Sequence, residues 1–308
     1  MMGVRFSSPA LAVARRDPDP TPSILTGMLV AQISDCHIRE EPGMFGELVD
    51  TSACLAATVE HLVALDPAPD VVLATGDLTD EGTRTEYSLL ADLLAPIADR
   101  LLPLPGNHDD GPLFRSTFAD RLPDSTADGH CSYVVDEHAV RLVGLDTSLP
   151  GHHDGRFDNT HEEWLDSTLA AGPDQPTLVF THFPPFTSGI TFMDVSGLAG
   201  AERMRAVIAT HPQVRLLVAG HLHRTVQTTV GGTLISVCPS TGNQLGLDLH
   251  PDRGSAVDEP PGYQLHRWDG ERFVTHTGVV WEGRRLDLTQ FVASIRARAA
   301  QGKSFPKR

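Results

Sequence analysis

The stretch Met28–His37 reads MLVAQISDCH. A short apolar run, Met28–Ser34, stops abruptly and is followed at once by a carboxylate, a thiol and an imidazole. The run reads as a buried strand, and the polar triplet sits at its carboxyl end. In open α/β sheets that end is where ligands bind. The same arrangement recurs four times. The expected strand Val71–Thr75 runs into Gly76-Asp77, and the short strand Leu101–Leu104 precedes Gly106-Asn107-His108-Asp109. Thr177–Thr181 leads into His182, and Val214–Ala219 leads into Gly220-His221-Leu222-His223. Segments far apart in the chain would therefore converge on one small site.

The intervening sequence supplies helices. Asp50–Leu65 has helical periodicity, with Asp50, Thr51 or Ser52 able to cap its start. Thr83–Ile97, Thr160–Ala171 and Ala201–Thr210 are also expected to be helical. Hairpins are expected at Tyr133–Asp136 with Ala139–Asp146, and at Thr225–Val230 with Thr233–Val237 across Gly231-Gly232. A last hairpin, Tyr263–Trp268 with Arg272–Val279, turns at Asp269-Gly270. The strand–helix alternation predicts an α/β fold with a mainly parallel core and antiparallel strands added late. Gly111–Gly129 and Cys238–Gly262 look irregular, and the second is long enough to be functional or an interaction arm.

The chain has 308 residues, 24 Lys+Arg and 40 Asp+Glu, for a formal charge of −16. With 40% hydrophobic and 21% charged residues the composition is that of a globular protein. No apolar run approaches the ~20 residues needed to span a bilayer. The acidic balance argues against a nucleic-acid partner held through its phosphates. A small anionic substrate stays open, because a metal ion can supply local positive charge. Cys36, Cys54, Cys131 and Cys238 are widely spaced and form no Cys-x-x-Cys pair, so reduced thiols in the cytoplasm are expected. Residues 1–27 contain Pro and Arg but no apolar signal-peptide core, and read as a disordered extension. From Gly283 the tail turns basic, with Arg284, Arg285, Arg296, Arg298, Lys303, Lys307 and Arg308, and reads as a solvated terminal helix.

The residue types at the strand ends suit a pair of divalent ions. Asp35-x-His37 offers one carboxylate and one imidazole. Asp77 has two oxygens for two ions, and Asn107 adds a neutral oxygen. His221 and His223 alternate by two, so both can turn inward only if the backbone twists locally. An N/O donor set without thiolate fits Mn, Fe, Zn or Co better than Mg or Ca. Gly76, Gly106 and Gly220 remove side chains where the backbone must turn sharply. Taken singly, each block is weak: Gly-Asp is usually a turn, and a lone histidine such as His182 is usually core or surface. Their joint occurrence in order, all at strand ends, is what points to a metal centre. His61, His130, His138, His152, His153, His161, His211, His250, His266 and His276 lack that placement and read as ordinary histidines.

The ordered pattern D-x-H, G-D, G-N-H-D, H and G-H-x-H resembles that of the calcineurin-like metallophosphoesterase superfamily, over roughly Met28–Val280. Ile33–Arg39 (ISDCHIR), Leu104–Asp110 (LPGNHDD), Thr181–Pro185 (THFPP) and Gly189–Asp194 (GITFMD) are most similar to bacterial class III cyclic-nucleotide phosphodiesterases and related glycerophosphodiesterases. Cys36 stands where Thr or Ser is commoner. Gly-Asp-Leu-Thr-Asp-Glu-Gly at 76–82 departs from protein Ser/Thr phosphatases. Asp80 stands where purple acid phosphatases carry a metal-binding Tyr.

The resemblance implies two mixed β-sheets packed as a sandwich and flanked by helices, with the metal site at the carboxyl ends of the strands. It implies a catalytic domain over 28–280, with an insert or arm at 238–262 and a basic tail at 281–308. Asp35, His37 and His223 would hold one ion, Asn107, His182 and His221 the other, and Asp77 would bridge. The shared hydroxide would attack phosphorus in line with the leaving alkoxide. Asn107 and His108 would stabilise the phosphate oxygens, His108 could protonate the leaving group, and Asp109 could orient His108. The implied enzyme is a metal-dependent phosphodiester hydrolase on a small substrate, with 3′,5′-cyclic nucleotides first and glycerophosphodiesters as the alternative. A scaffold that has lost its chemistry is a further alternative, which the complete donor set disfavours. By analogy, a homodimer or larger homo-oligomer is expected.

Overall fold

The computed structural model describes residues 27–40, 48–122, 130–280, 283 and 286–301. The chain runs through β1 (Leu29–Ile33), α1 (Thr51–Val63), β2 (Val71–Thr75), α2 (Arg84–Leu94), β3 (Leu101–Leu104) and α3 (Gly111–Thr117). Next come β4 (Tyr133–Val135), β5 (Arg141–Leu145), β6 (Gly155–Arg156), α4 (Asn159–Ala170) and β7 (Thr177–Thr181). They are followed by α5 (Thr191–Asp194), β8 (Leu198–Ala199), α6 (Ala201–Thr210) and β9 (Val214–Ala219). The last elements are β10 (Val226–Val230), β11 (Thr233–Val237), β12 (Gln244–Leu245), β13 (Ala256–Val257), β14 (Gly262–Trp268), β15 (Phe273–Val279) and α7 (Thr289–Ala300).

Two mixed sheets result. The five-stranded sheet has the order β15-β14-β1-β2-β3, and the six-stranded sheet has the order β10-β11-β9-β7-β5-β4. Strands β1, β2 and β3 are parallel, as are β5, β7, β9 and β11, while β14, β15, β10 and β4 pair antiparallel. Helices lie in the crossovers between β1, β2 and β3 and between β5, β7 and β9, β9 and β11 are joined through β10, and short turns join the pairs β4–β5, β10–β11 and β14–β15. Alternate residues of each central strand face opposite layers. Val30 and Leu73 point inward to meet Leu178, Phe180, Leu216 and Val218 of the facing sheet. Ala31, Ile33, Val72 and Ala74 point outward onto α1 and α2 through Leu55, Val59, Leu62 and Leu90. Val179 and Leu217 face Leu165 and Leu169 of α4 and Val207 of α6. Covering on both faces is why these strands read as unbroken apolar runs.

A polar seam crosses the sandwich. Buried Gln32 of β1 donates from Nε2 to Thr75 Oγ1 and to the Ala219 carbonyl of the facing sheet, both at 2.9 Å. Its Oε1 lies 3.1 Å from His266 Nε2. Ser236 of β11 donates to Gln264 Oε1 at 2.9 Å, and Gln264 Nε2 donates to the Val237 carbonyl at 3.0 Å. These bonds fix the register of one sheet on the other near the strand ends.

Three regions differ from the sequence reading. Gly111–Gly129 begins with α3, because Asp110 accepts from the Leu113 N–H as an N-cap and Pro112 occupies the first turn. Residues 123–129 of that stretch lie outside the described residues. In Cys238–Gly262 the first part is buried: Cys238, Ser240, Thr241, Asn243 and Gln244 are all nearly inaccessible. Ser240 Oγ donates to the Asp35 carbonyl at 2.7 Å, and the Thr241 N–H donates to the Ser34 carbonyl at 3.0 Å. Polar side chains that read as loop are here bonded to the backbone beneath the site. The expected helix Thr83–Ile97 gives way at Ala95 to a 3₁₀ turn carrying Pro96. The expected extension at 1–27 lies outside the described residues apart from Gly27. Among the described residues no helix is long and apolar enough to cross a membrane.

Burial pushes His266 down from 6.5 to about 3, so it is neutral in the folded chain. An unfolded chain takes up that proton below 6.5, and stability is therefore lost as pH falls from 6.5 toward 3. The slope expected from this one group is at most ~1.4 kcal/mol per pH unit. In urea unfolding of the metal-free chain, His266→Gln should flatten the loss of stability between about pH 7 and pH 5. Equal slopes for variant and parent would contradict the assignment.

Candidate metal centre

The carboxyl ends of β1, β2 and β3 in one sheet face those of β7 and β9 in the other. Asp35 and His37 leave β1, Asp77 leaves β2, Asn107 and His108 leave β3, His182 ends β7, and His221 and His223 leave β9. All the residues expected at the site meet there. Asp77 Oδ2 lies 3.3 Å from His182 Nε2 and 3.7 Å from His37 Nε2. His223 Nε2 lies 3.5 Å from Asp35 Oδ1, and Asn107 Oδ1 lies 3.2 Å from His182 Nε2. Three overlapping groups could each hold an ion: Asp35, His37 and His223; His37, Asp77 and His108; Asp77, His182 and His221. Asp77 belongs to two of them.

The backbone is bent to make this possible. Asp35, His37, Asp77, His221 and His223 have φ of 53°, 44°, 51°, 71° and 51°. Among the described residues, every non-glycine residue with positive φ belongs to this set. Such conformations cost of order 1–3 kcal/mol each, and they persist where the surroundings over-determine them. They answer how both His221 and His223 turn inward from an alternating pair. The Asp35 and His37 N–H groups donate to the Gly76 and Asp77 carbonyls at 3.0 Å, so β1–β2 pairing continues through the bends. At Gly106 a Cβ would run into the Asp77 carboxylate, and at Gly220 it would run into Ser34 Oγ.

The donors are aimed from behind. His182 Nδ1 lies 2.8 Å from the Thr75 carbonyl, His223 Nδ1 lies 2.7 Å from the Asn243 carbonyl, and His37 Nδ1 lies 3.0 Å from Asp80 Oδ1. Each Nδ1 therefore carries a proton and each Nε2 faces the cluster, where it can offer its lone pair to an ion. The Nε2 atoms of His37 and His223 stand 3.1 Å apart, and His221 Nε2 is buried with no hydrogen-bond partner. Facing lone pairs and an orphaned buried nitrogen are what a cation site needs. Burial alone would raise the Asp77 carboxyl, but the imidazoles of His182, His108 and His37 hold it well below the usual range. Burial opposes the charging of His182, yet without an ion Asp77 carries it up to about 9, so a bound ion would displace the proton from its Nε2. His221 is pushed down to about 3 by burial and by His182. Cys36 is buried with its thiol raised to about 12, which leaves the donor set purely N/O. The residues present therefore fit a pair of divalent ions.

Asp109 does not orient His108. Its carboxylate accepts from the N–H groups of Gly106 (2.9 Å), Leu78 (3.1 Å) and Thr79 (3.2 Å), and from the hydroxyls of Thr79 and Tyr87 (3.0 Å each). It ties the Asp77 loop to the Asn107 loop. His108 is placed instead by Asp80, whose carbonyl lies 2.7 Å from His108 Nδ1, while the His108 N–H donates to Asp77 Oδ1 at 2.9 Å. Sequence reasoning missed Asp80, Asn243 and Arg39, whose guanidinium lies 3.3 Å from Asp80. It also set aside His153, whose ring lies 5.4 Å from that of His108 at the rim of the cavity. That cavity, of about 240 Å³, is walled by Phe192 and Met193 of α5 and by Leu245.

Comparison with known proteins agrees with this geometry. The calcineurin-like phosphoesterase family model matches residues 28–225. The chain belongs to that family, and it is a metal-dependent phosphoesterase. Its relatives include the glycerophosphodiester phosphodiesterase GpdQ of Enterobacter lignolyticus, 32% identical over 81% of this chain and 90% of that one. Another is the 3′,5′-cyclic adenosine monophosphate phosphodiesterase CpdA of Pseudomonas aeruginosa, 31% identical over 72% of this chain and 79% of that one. Among solved structures, a dimetal phosphatase from Danio rerio superposes with a TM-score of 0.58 at 14% identity, covering 80% of this chain and 98% of that one. The purple acid phosphatase PPD1 of yellow lupin superposes at 0.62 with 16% identity, covering 85% of this chain and 53% of that one. At those identities the likeness is one of fold.

Removing the shared carboxylate tests the arrangement. Asp77→Ala should leave at most one divalent ion per chain after dialysis, measured by elemental analysis. Two ions retained would contradict a bridging role.

Proposed function

We propose that the chain hydrolyses a small phosphodiester over two divalent ions. Asp35, His37 and His223 hold one, Asn107, His182 and His221 hold the other, and Asp77 bridges them. The observation that carries this is the buried Asp77 carboxylate, which groups with His37 and His108 on one side and with His182 and His221 on the other. Bound ions of this kind supply Lewis acidity toward phosphate oxygens and lower the pKa of water. Mn, Fe, Zn and Co are the ions the donor set favours.

The remaining groups orient the substrate. With Nδ1 held by the Asp80 carbonyl, His108 turns Nε2 to the substrate, where it can contact a phosphate oxygen and pass a proton to the leaving alkoxide. Asn107 contributes its amide to the same phosphate. Phe192, Met193 and Leu245 line one side of the cavity. The enclosure suits a small diester rather than a polymer, in keeping with the chain's −16 charge.

Glycerophosphodiesters are the substrate class we favour. In its favour, two GpdQ relatives match 82% and 81% of the chain at 34% and 32% identity, against 72% at 31% for CpdA. The second reading is 3′,5′-cyclic nucleotides, favoured by the CpdA relative and by the Phe192 ring, a face on which a base can stack. A cytoplasmic location is supported by four unpaired cysteines.

The Mn-loaded chain should release glycerol phosphate from glycerophosphocholine faster than it releases AMP from equal cyclic AMP. The reverse order would move it to the second reading, and activity on neither would refute both. His108→Ala should lower turnover by roughly 10²-fold or more with metal content unchanged. An unchanged rate would remove His108 from the mechanism.

A further inference from the structure

A second cavity adjoins the metal centre. It holds about 490 Å³, against about 240 Å³ for the cavity over the donors. Met193 and His221 line both. His153 and Ser196 line the smaller one, and their chain neighbours Asp154 and Gly197 line the larger. The two cavities therefore lie side by side, parted by the residues they share. A phosphodiester carries two ester arms, and the smaller cavity has to take the phosphate as well as one of them.

The larger cavity has an apolar side and an acidic side. Leu198 and Leu222 are buried in its wall, and Phe186 and Met193 are partly exposed there. Three carboxylates, of Asp154, Asp194 and Glu202, stand against one cation, Arg205. Arg205 is already engaged, since its guanidinium donates to the Pro185 carbonyl at 2.8 Å and lies 3.6 Å from Glu202. Asp194 is engaged too. It accepts from the N–H and hydroxyl of Ser188, at 2.7 and 2.9 Å, and from the Gly189 N–H at 2.8 Å. Asp154 is different. Its carboxylate is half-exposed and accepts no hydrogen bond among the described residues, and its one ion-pair neighbour there is the exposed His152 at 3.9 Å. Surplus negative charge beside an aromatic ring repels an anionic arm and attracts a cationic one.

We infer that this cavity receives the cationic alcohol arm of a zwitterionic phosphodiester, with Asp154 as counter-ion and the Phe186 ring as its apolar face. The inference rests on the diester hydrolysis proposed above and narrows its substrate class. The substrate's two charges go to neighbouring sites, the phosphate to the ions and the ammonium to Asp154. A quaternary ammonium offers no N–H to bond, so a carboxylate and an aromatic face are enough to hold it. Asp154 and Phe186 stand outside the donor set and act on specificity alone.

The Mn-loaded full chain tests this on glycerophosphocholine and on glycerophosphoglycerol, whose second arm is uncharged. The parent should favour the choline ester roughly tenfold in kcat/KM. Phe186→Leu and Asp154→Asn should each lower that preference roughly threefold or more, and Asp154→Lys should abolish it. The ratio of the two rates does not depend on how much of a variant folds or loads metal. Choline alone, followed by saturation-transfer NMR, reads the subsite without turnover: the parent should bind it and Asp154→Lys should not. Equal rates on the two esters in the parent, or a preference that Asp154→Lys leaves intact, would overturn the inference. A chain inactive on both esters would refute the glycerophosphodiester reading. In that case choline binding lost in Asp154→Lys would support the subsite, and absent or unaltered binding would overturn it.

Discussion

His37 and His223 come from opposite sheets, and their Nε2 atoms face one another at 3.1 Å. Each ring is fixed from behind, one by Asp80 and the other by the Asn243 carbonyl, so neither can turn away. Two nitrogens held in this way repel unless a proton or a metal cation lies between them. The same holds for the buried, unpartnered Nε2 of His221. The two sheets are therefore joined at their carboxyl ends through a site that calls for positive charge. Phosphate chemistry is the natural use of such charge, because the same ions that relieve the donors attract an anionic substrate.

Around this constraint the fold is arranged for rigidity. The polar seam through Gln32, Gln264 and Ser236 sets one sheet on the other, and Asp109 gathers five donors from the loops after β2 and β3 and from α2. The five positive-φ residues need that support, since each departs from its preferred backbone. A metal site built on strand ends and braced by loop carboxylates holds its donors more closely than one on free loops could.

Much of this was legible in the sequence because both signals are local. Thr177–Thr181 and Val214–Ala219 are buried on both faces, so their apolar runs have sharp ends, and the donors stand immediately after them. Each family motif places its ligands within a few residues of a strand, and the ordered set was enough to assemble the site. What escaped was non-local. Asn243 lies 20 residues from His223, in a polar stretch whose burial depends on bonds to Ser34 and Asp35. Asp80 works through both a side chain and a carbonyl, and only the bend after β2 turns them to His37 and His108. His153 is brought to the cavity by the short pairing of β6 with β8, two residues each, too brief to leave a pattern. Asp109 was assigned to the wrong partner because adjacency in sequence suggested His108, whereas the turn carries its carboxylate back to Gly106, Leu78 and Thr79.

The most direct test of the account is a crystal structure of the chain grown with Mn, with anomalous scattering recorded at the Mn edge. Two peaks ~3.5–4 Å apart, with Asp77 between them, are the expected result. One group of donors should be Asp35, His37 and His223, and the other Asn107, His182 and His221. A single peak, or peaks away from Asp77, would contradict the shared carboxylate on which the account rests.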